Sequence, residues 1–346
     1  MVARCARAVT APRVTGRQAG AGRRAARRAW FNRAVSTKGF EHRVASWCAE
    51  QLGSAPVARL MAASQTSQVF GVRLADGREV AVKARADATR RAATCVQVQL
   101  RAAQAGFPCA LPLTPAVYED GTAVHAEQWR PGGQIMWGAG PRVAGLFGRL
   151  YARLASVIAD LEAQLAPPLP NPEWVRWDHG GSGPWPANWL HDSRPGADEL
   201  PRDLVELARR ARARLLAGAQ ELPRVFGHAD WETQNLRWDG GAAHTVHDWD
   251  SVAWQPEAAL VGAGSGSFSS DLVPTLAPVA SSESFIAAYE RERGRVFEAR
   301  EREVAWAASL WPALHNARRE LLWQRPPVAL EAVAAQGEER LRRAGA

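Results

Sequence analysis

Three residues in one short stretch have the types and spacing for shared chemistry: Asp230, Asn235 and Asp248. They lie in His228-Ala229-Asp230-Trp231-Glu232-Thr233-Gln234-Asn235 and in the later segment Val246-His247-Asp248-Trp249-Asp250. Gln234 to Trp238 reads as a strand, Asp239-Gly240-Gly241 as a turn, and Ala243 to Asp248 as the return strand. Folding about residue 241 sets Asn235 opposite position 247, so Asn235 and Asp248 finish at the same end of one hairpin. Asp230 sits in the loop that enters it. A carboxylate, an amide and a second carboxylate then meet at a loop mouth. Such hard oxygen donors suit Mg²⁺, with one carboxylate left to orient a hydroxyl.

The two-part pattern, His-x-Asp-x-x-x-x-Asn and then a strand ending in Asp-Trp-Asp, resembles the aminoglycoside phosphotransferase and choline kinase group, distant relatives of protein kinases. The resemblance implies an α+β, protein-kinase-like two-lobe fold. A small N-terminal antiparallel sheet plus one helix would sit on a larger, mostly helical C-terminal lobe. It also implies an ATP-dependent phosphotransferase, with Asp230 as catalytic base and Mg²⁺ on Asn235 and Asp248. The acceptor would be a hydroxyl of an aminoglycoside, another amino alcohol or a small metabolite.

The elements that must position these groups follow along the chain. Phe40 to Leu52 has helical periodicity. Val57–Ala62, Val69–Leu74 and Arg78–Ala84 read as strands, the last two joined by an Asp76-Gly77 turn. The connection Ser64-Gln65-Thr66-Ser67 covers the nucleotide phosphates in kinase-like folds. It lacks glycine here, so hydroxyls of Ser64, Thr66 and Ser67 and backbone N–H groups are the expected phosphate contacts. Val80-Ala81-Val82-Lys83 resembles the third-strand lysine segment of kinases, which implies that Lys83 contacts the α- and β-phosphates. Lysine is scarce, only Lys38 and Lys83 among 43 basic residues, which singles the position out. Kinase-like enzymes place a Glu on the next helix to pair with that lysine. The helix expected over 88–105 has no acid, and Gln97 or Gln99 stands as the replacement. Thr122 to Trp129 reads as a strand, and Gln128 and Trp129 fall where the hinge backbone would meet adenine.

Further on, a helix is expected from Arg142 to about Leu165, and another from Leu200 to Gly218. Between them lies a Pro-, Gly- and Trp-rich excursion carrying Trp174, Trp177, Trp185 and Trp189, whose first role is packing; a cation–π seat for an amine is the alternative. After Asp250, helices are expected over 256–261, 282–293, 298–323 and 328–343, with Pro312 kinking or splitting the third. Ser265 to Ala280 reads as a Ser- and Gly-rich loop. Asp271, Glu257, Glu283 and Glu290 are available as counter-charges to a polyamine, although solvated acids are the plainer reading.

The totals bound the rest. A chain of 346 residues accommodates a basic disordered tail over 1–36, a nucleotide-binding lobe over 37–130 and a catalytic and substrate lobe over 131–346. Residues 1–40 hold ten basic groups and no acid; without them 33 basic residues face 35 acidic ones. The net charge of +8 is therefore no signature of a nucleic-acid partner. No run of eighteen apolar residues suggests a membrane partner. Four scattered cysteines fit reduced thiols and a cytoplasmic location. The molecule is expected as a monomer or homodimer. Two other readings compete. A catalytically weak, kinase-like nucleotide-binding protein would account for the missing helix Glu. A metal-dependent hydrolase would use His228, Asp230, His244, His247 and Asp248, but His244 and His247 lie three apart on a strand and point to opposite faces.

Overall fold

The computed structural model describes residues 37–64 and 67–346. The tail expected over 1–36 and the loop residues Gln65 and Thr66 lie outside the described residues, as does the side chain of Ser64. Helix α1 (Thr37–Leu52) leads into β1 (Pro56–Ser64), β2 (Gln68–Leu74) and β3 (Glu79–Ala86), and then into helix α2 (Arg91–Gln104). Strands β4 (Val117–Glu119) and β5 (Thr122–Gln128) complete an antiparallel sheet in the order β1-β2-β3-β5-β4. Val44, Trp47 and Cys48 of α1 bury one face of that sheet, against Val72, Leu74, Val80, Val82, Val124 and Ala126. These residues alternate along β2, β3 and β5, which is why one face is apolar. The opposite face carries Ala81, Lys83, His125 and Glu127, with Lys83 directly across from His125 in the ladder.

Beyond β5 the chain is mostly helical, with α3 (Pro141–Val157), α4 (Arg202–Ala219), α5 (Glu257–Ser267), α6 (Val279–Arg293), α7 (Ala299–Leu322) and α8 (Val328–Arg343). Among them run two strand pairs: β6 (Arg224–His228) with β9 (Val252–Pro256), and β7 (Leu236–Asp239) with β8 (Ala242–Val246). Helix α2 lies between the two halves. Its Cys95, Val98 and Ala102 belong to the larger hydrophobic core. Arg91 donates to the Pro168 and Val252 carbonyls, and Thr94 to Ala166, so α2 is tied to the helical body.

Three expectations change here. The segment read as a loop from Ser265 onward begins as the last turn of α5. Its glycines serve packing: a Cβ on Gly262 would sit 2.1 Å from the Ala305 carbonyl oxygen, and one on Gly266 1.9 Å from that of Ser309. Only glycine allows α5 to approach α7 so closely. Second, Pro312 does not split α7, which runs unbroken through 24 residues. Third, the helix expected to reach Leu165 stops at Val157; Asp160, at φ 67, turns the chain into a short 3₁₀ segment. In the excursion over 166–200, Trp177 and Trp185 are buried in the core, which is the packing role.

Candidate active site

The hairpin β7–β8 forms as its turn residues dictate. Leu236 pairs with Val246, and the His247 N–H donates to the Asn235 carbonyl at 2.8 Å. Asn235 and Asp248 therefore end side by side at its open end. Asp248 takes the left-handed conformation, φ 63, which Asp and Asn tolerate better than other side-chain-bearing residues. Lys83, Asn235, Asp248, Asp250, Ser67 and Trp129 all face one cleft of about 440 Å³ between the sheet and the helical body, a size ordinary for a small-molecule site.

Asp230 lies one hydrogen bond behind that cleft. The Asn235 side-chain amide donates to the Asp230 carboxylate at 2.8 Å and to its carbonyl at 2.9 Å. This fixes the orientation of the amide, because only its NH₂ can face a carboxylate. The Oδ1 of Asn235 is left as an acceptor. The loop around Asp230 is pinned from several sides. The His228 Nδ1 accepts the Asp230 N–H at 3.2 Å while its Nε2 lies 2.9 Å from the His247 carbonyl, a pair of bonds that a neutral imidazole satisfies. Burial lowers the His228 pKa to about 4, consistent with that neutral form. Tyr151 donates to the His228 carbonyl, Trp174 to that of Ala229, and Trp231 to that of Phe147.

The charges are unevenly balanced. Burial raises the Asp230 carboxyl to about 6, with Asp250 adding repulsion and the Asn235 hydrogen bond opposing. Asp248 is pushed well above the usual carboxylate range, by burial first and then by Asp250. Asp250 is itself lowered: burial works against its ionisation, but the paired Arg85 guanidinium overrides it. Asp250 thus joins β3 to the segment carrying Asp248. Asp230 and Asp248 have no such guanidinium partner, so burial and their mutual repulsion work against ionising both together. Two carboxyls short of positive charge, the free Oδ1 of Asn235 and the all-oxygen donor set fit a hard divalent cation. The histidines do not assemble a transition-metal site. His244 Nε2 lies 3.0 Å from the Pro131 carbonyl, and His228 is spent on its loop. Among the described residues no group of three or more His, Cys, Asp or Glu side chains is arranged to hold a metal ion.

Lys83 finds its partner on the sheet and not on the helix. Its ammonium lies 2.7 Å from Glu127 on β5, and neither Gln97 nor Gln99 replaces the missing helix Glu as the direct contact. Gln99 instead donates to the second Glu127 oxygen at 2.8 Å and to the Ala110 carbonyl at 2.9 Å. The strand pattern carried the signal: His125 and Glu127 are the polar residues on the β5 face that meets Lys83.

Of the other nucleotide-contact candidates, Ser67, Gln128 and Trp129 line the cleft. Thr66 and the Ser64 side chain lie outside the described residues. The Gln128 and Trp129 N–H groups already donate to the Leu111 and Glu79 carbonyls, so these amides are not free for adenine. The Trp129 indole packs under β2, where a Cβ on Gly71 would come within 2.8 Å of it. Gly71 thus makes room for an aromatic wall of the cleft. Glu232, two residues past Asp230, is a further buried acid that the sequence reading passed over. Burial raises its pKa well above normal, and Asp230 and Asp271 add repulsion. The remaining candidate counter-charges are occupied: Glu257 by Arg293, Arg295 and Tyr289, Glu290 by Arg302, and Glu283 by Arg343.

The sheet above a mostly helical body, with this cleft between them, is the protein-kinase-like fold. No family model and no curated protein matches the chain. Solved structures do. A candidate fructosamine-3-kinase from Thermobifida fusca aligns over 86% of this chain and 98% of its own, at 19% identity and a TM-score of 0.54. An aminoglycoside phosphotransferase crystallised with ADP and hygromycin B aligns over 87% and 98%, at 16% identity and a TM-score of 0.52. A choline/ethanolamine kinase family protein from Mesorhizobium loti aligns over 89% and 93%, at 18% identity and a TM-score of 0.52. At these identities the likeness establishes the fold, that of the small-molecule kinases the motif resembles.

Proposed function

We propose that the protein is a small-molecule kinase that moves the γ-phosphate of ATP to a hydroxyl group. The observation that carries this is the convergence of Lys83, Asn235 and Asp248 on one cleft, with Asp230 hydrogen-bonded just behind. Asn235 and Asp248 would hold Mg²⁺, which when bound neutralises phosphate charge during transfer. Lys83 steadies the α- and β-phosphates. Ser67, just ahead of β2, supplies a hydroxyl to them. The hinge beyond Gln128 and Trp129 receives the adenine, and Trp129 forms one wall.

Asp230 accepts the hydrogen bond of the incoming hydroxyl. As the acceptor oxygen bonds to the γ-phosphorus and the bond to the β-phosphate oxygen breaks, the proton passes to Asp230. The products are ADP and a phosphate ester. His228 holds the loop and moves no proton. Glu232, close enough to both Asp230 and Asp271 to be repelled by them, favours an acceptor bearing a cationic amine, such as an aminoglycoside or a simpler amino alcohol. Against a non-catalytic scaffold, whose support was a helix without a carboxylate, stands the Glu127 carboxylate beside Lys83.

The test is phosphate transfer from ATP to a panel of amino alcohols and aminoglycosides. The wild-type protein is expected to form ADP and a phosphate ester with at least one. Asp230→Asn is expected to lose roughly 10²- to 10⁴-fold in turnover while still binding Mg-AMP-PNP. Full turnover by Asp230→Asn excludes this base.

A further inference from the structure

The side chain that holds Lys83 is on the same sheet as Lys83, not on the helix that faces it. Glu127 is 4% exposed and Gln99 1%. Both Glu127 oxygens are committed, one to the Lys83 ammonium at 2.7 Å and the other to the Gln99 amide at 2.8 Å. Gln99 is held in turn by the Ala110 carbonyl. The register explains the geometry. Lys83 lies across from His125 and Ala81 across from Glu127, so the two charged side chains are diagonal neighbours on one face of adjacent strands. Helix α2, which faces them, contributes only an amide.

We propose that Glu127 is the positioning residue that aims Lys83 at the nucleotide phosphates, with Gln99 fixing the carboxylate. This rests on the kinase reading above. It deepens that reading by moving a task from helix to sheet. The lysine and its carboxylate share a hydrogen-bonded ladder, so strand register sets the pair and α2 adds only the Gln99 bond that orients the carboxylate. The same helix is separately anchored to the body through Arg91 and Thr94. The phosphate grip is therefore assembled before nucleotide arrives.

The test compares binding of adenosine with that of Mg-AMP-PNP by calorimetry, together with Tm. The ratio of the two dissociation constants isolates what the phosphates contribute. Glu127→Gln keeps a side chain able to bond Gln99 but removes the charge that directs Lys83. It is expected to cut the ratio roughly 10- to 100-fold while adenosine affinity stays at the wild-type value. Lys83→Met is expected to match it. The double variant Gln99→Glu with Glu127→Gln returns a carboxylate to the helix side of the same hydrogen bond, and it is expected to regain most of the loss.

An unchanged or increased ratio in Glu127→Gln overturns the proposal; an increase means that Glu127 sequesters the lysine. Parallel loss of adenosine and AMP-PNP affinity with a lowered Tm, unrelieved in the double variant, also overturns it, because the residue is then only structural. Wild-type protein that binds adenosine and AMP-PNP equally well, or neither, overturns the kinase reading itself and this role with it.

Discussion

Gly266→Ala sets two known effects against each other, and the structure decides between them. Replacing glycine by alanine inside a helix normally stabilises by about 1 kcal/mol. At Gly266, however, the new methyl would stand 1.9 Å from the Ser309 carbonyl oxygen of α7. Even a close carbon–oxygen contact needs about 3.3 Å, so the helices must separate by roughly 1.4 Å. A gap of that size forfeits much of the dispersion energy between the faces. The obstacle is main chain on both sides, so no rotamer change relieves it. Overpacking at the upper end of about 3 kcal/mol, less the propensity gain, leaves a net loss of about 2 kcal/mol. Over 346 residues that corresponds to a fall in Tm of roughly 3 °C. Because Gly264 of the same helix packs on Trp231 in the loop that carries Asp230, loss of transfer activity should accompany it. Urea denaturation of Gly266→Ala measures the effect, with Gly180→Ala as control, since a Cβ there meets nothing within 4 Å. A Gly266→Ala protein as stable as wild type would refute the packing argument.

Two further predictions concern titrating groups. Burial depresses the His315 pKa to about 3, so this imidazole stays neutral in the folded protein while the unfolded chain protonates near 6.5. Its contribution is complete above pH 6.5 and is lost as pH falls towards 3. At pH 5 the loss is about 2 kcal/mol, so His315→Gln should flatten the stability profile between pH 7 and 5; an unaltered slope contradicts the neutral assignment. Burial also raises the thiols of Cys48 and Cys95 to about 11 and that of Cys109 to about 12. These three should resist alkylation at pH 8 until denaturant is added, and mass spectrometry that finds them modified in native protein would contradict their placement.

What the sequence disclosed was mainly local. The Asp-Gly-Gly turn and the flanking strands were enough to bring Asn235 and Asp248 together, because a tight hairpin sets its own register. Helix α8 and strand β5 were legible within a residue or so from periodicity. What escaped depended on contacts distant in sequence. Glu127 became the partner of Lys83 only through the pairing of β3 with β5, 44 positions apart, so the search stopped at the adjacent helix. Gly266 read as a loop former by composition, whereas its use is close helix contact, which composition does not encode. Gly71 likewise took its meaning from Trp129, whose indole arrives from just past the end of β5. In each case one residue type serves two physical purposes, and tertiary context selects between them.

The proposed phosphate transfer requires Asp248 and Asn235 to join Lys83 around a single magnesium–nucleotide. Calorimetric titration of AMP-PNP with and without Mg²⁺, in wild type and in Asp248→Asn, tests this most directly. Wild type should bind more tightly when Mg²⁺ is added, and Asp248→Asn should lose that gain. If Asp248→Asn responds to Mg²⁺ as wild type does, the cation is held elsewhere and the account is wrong.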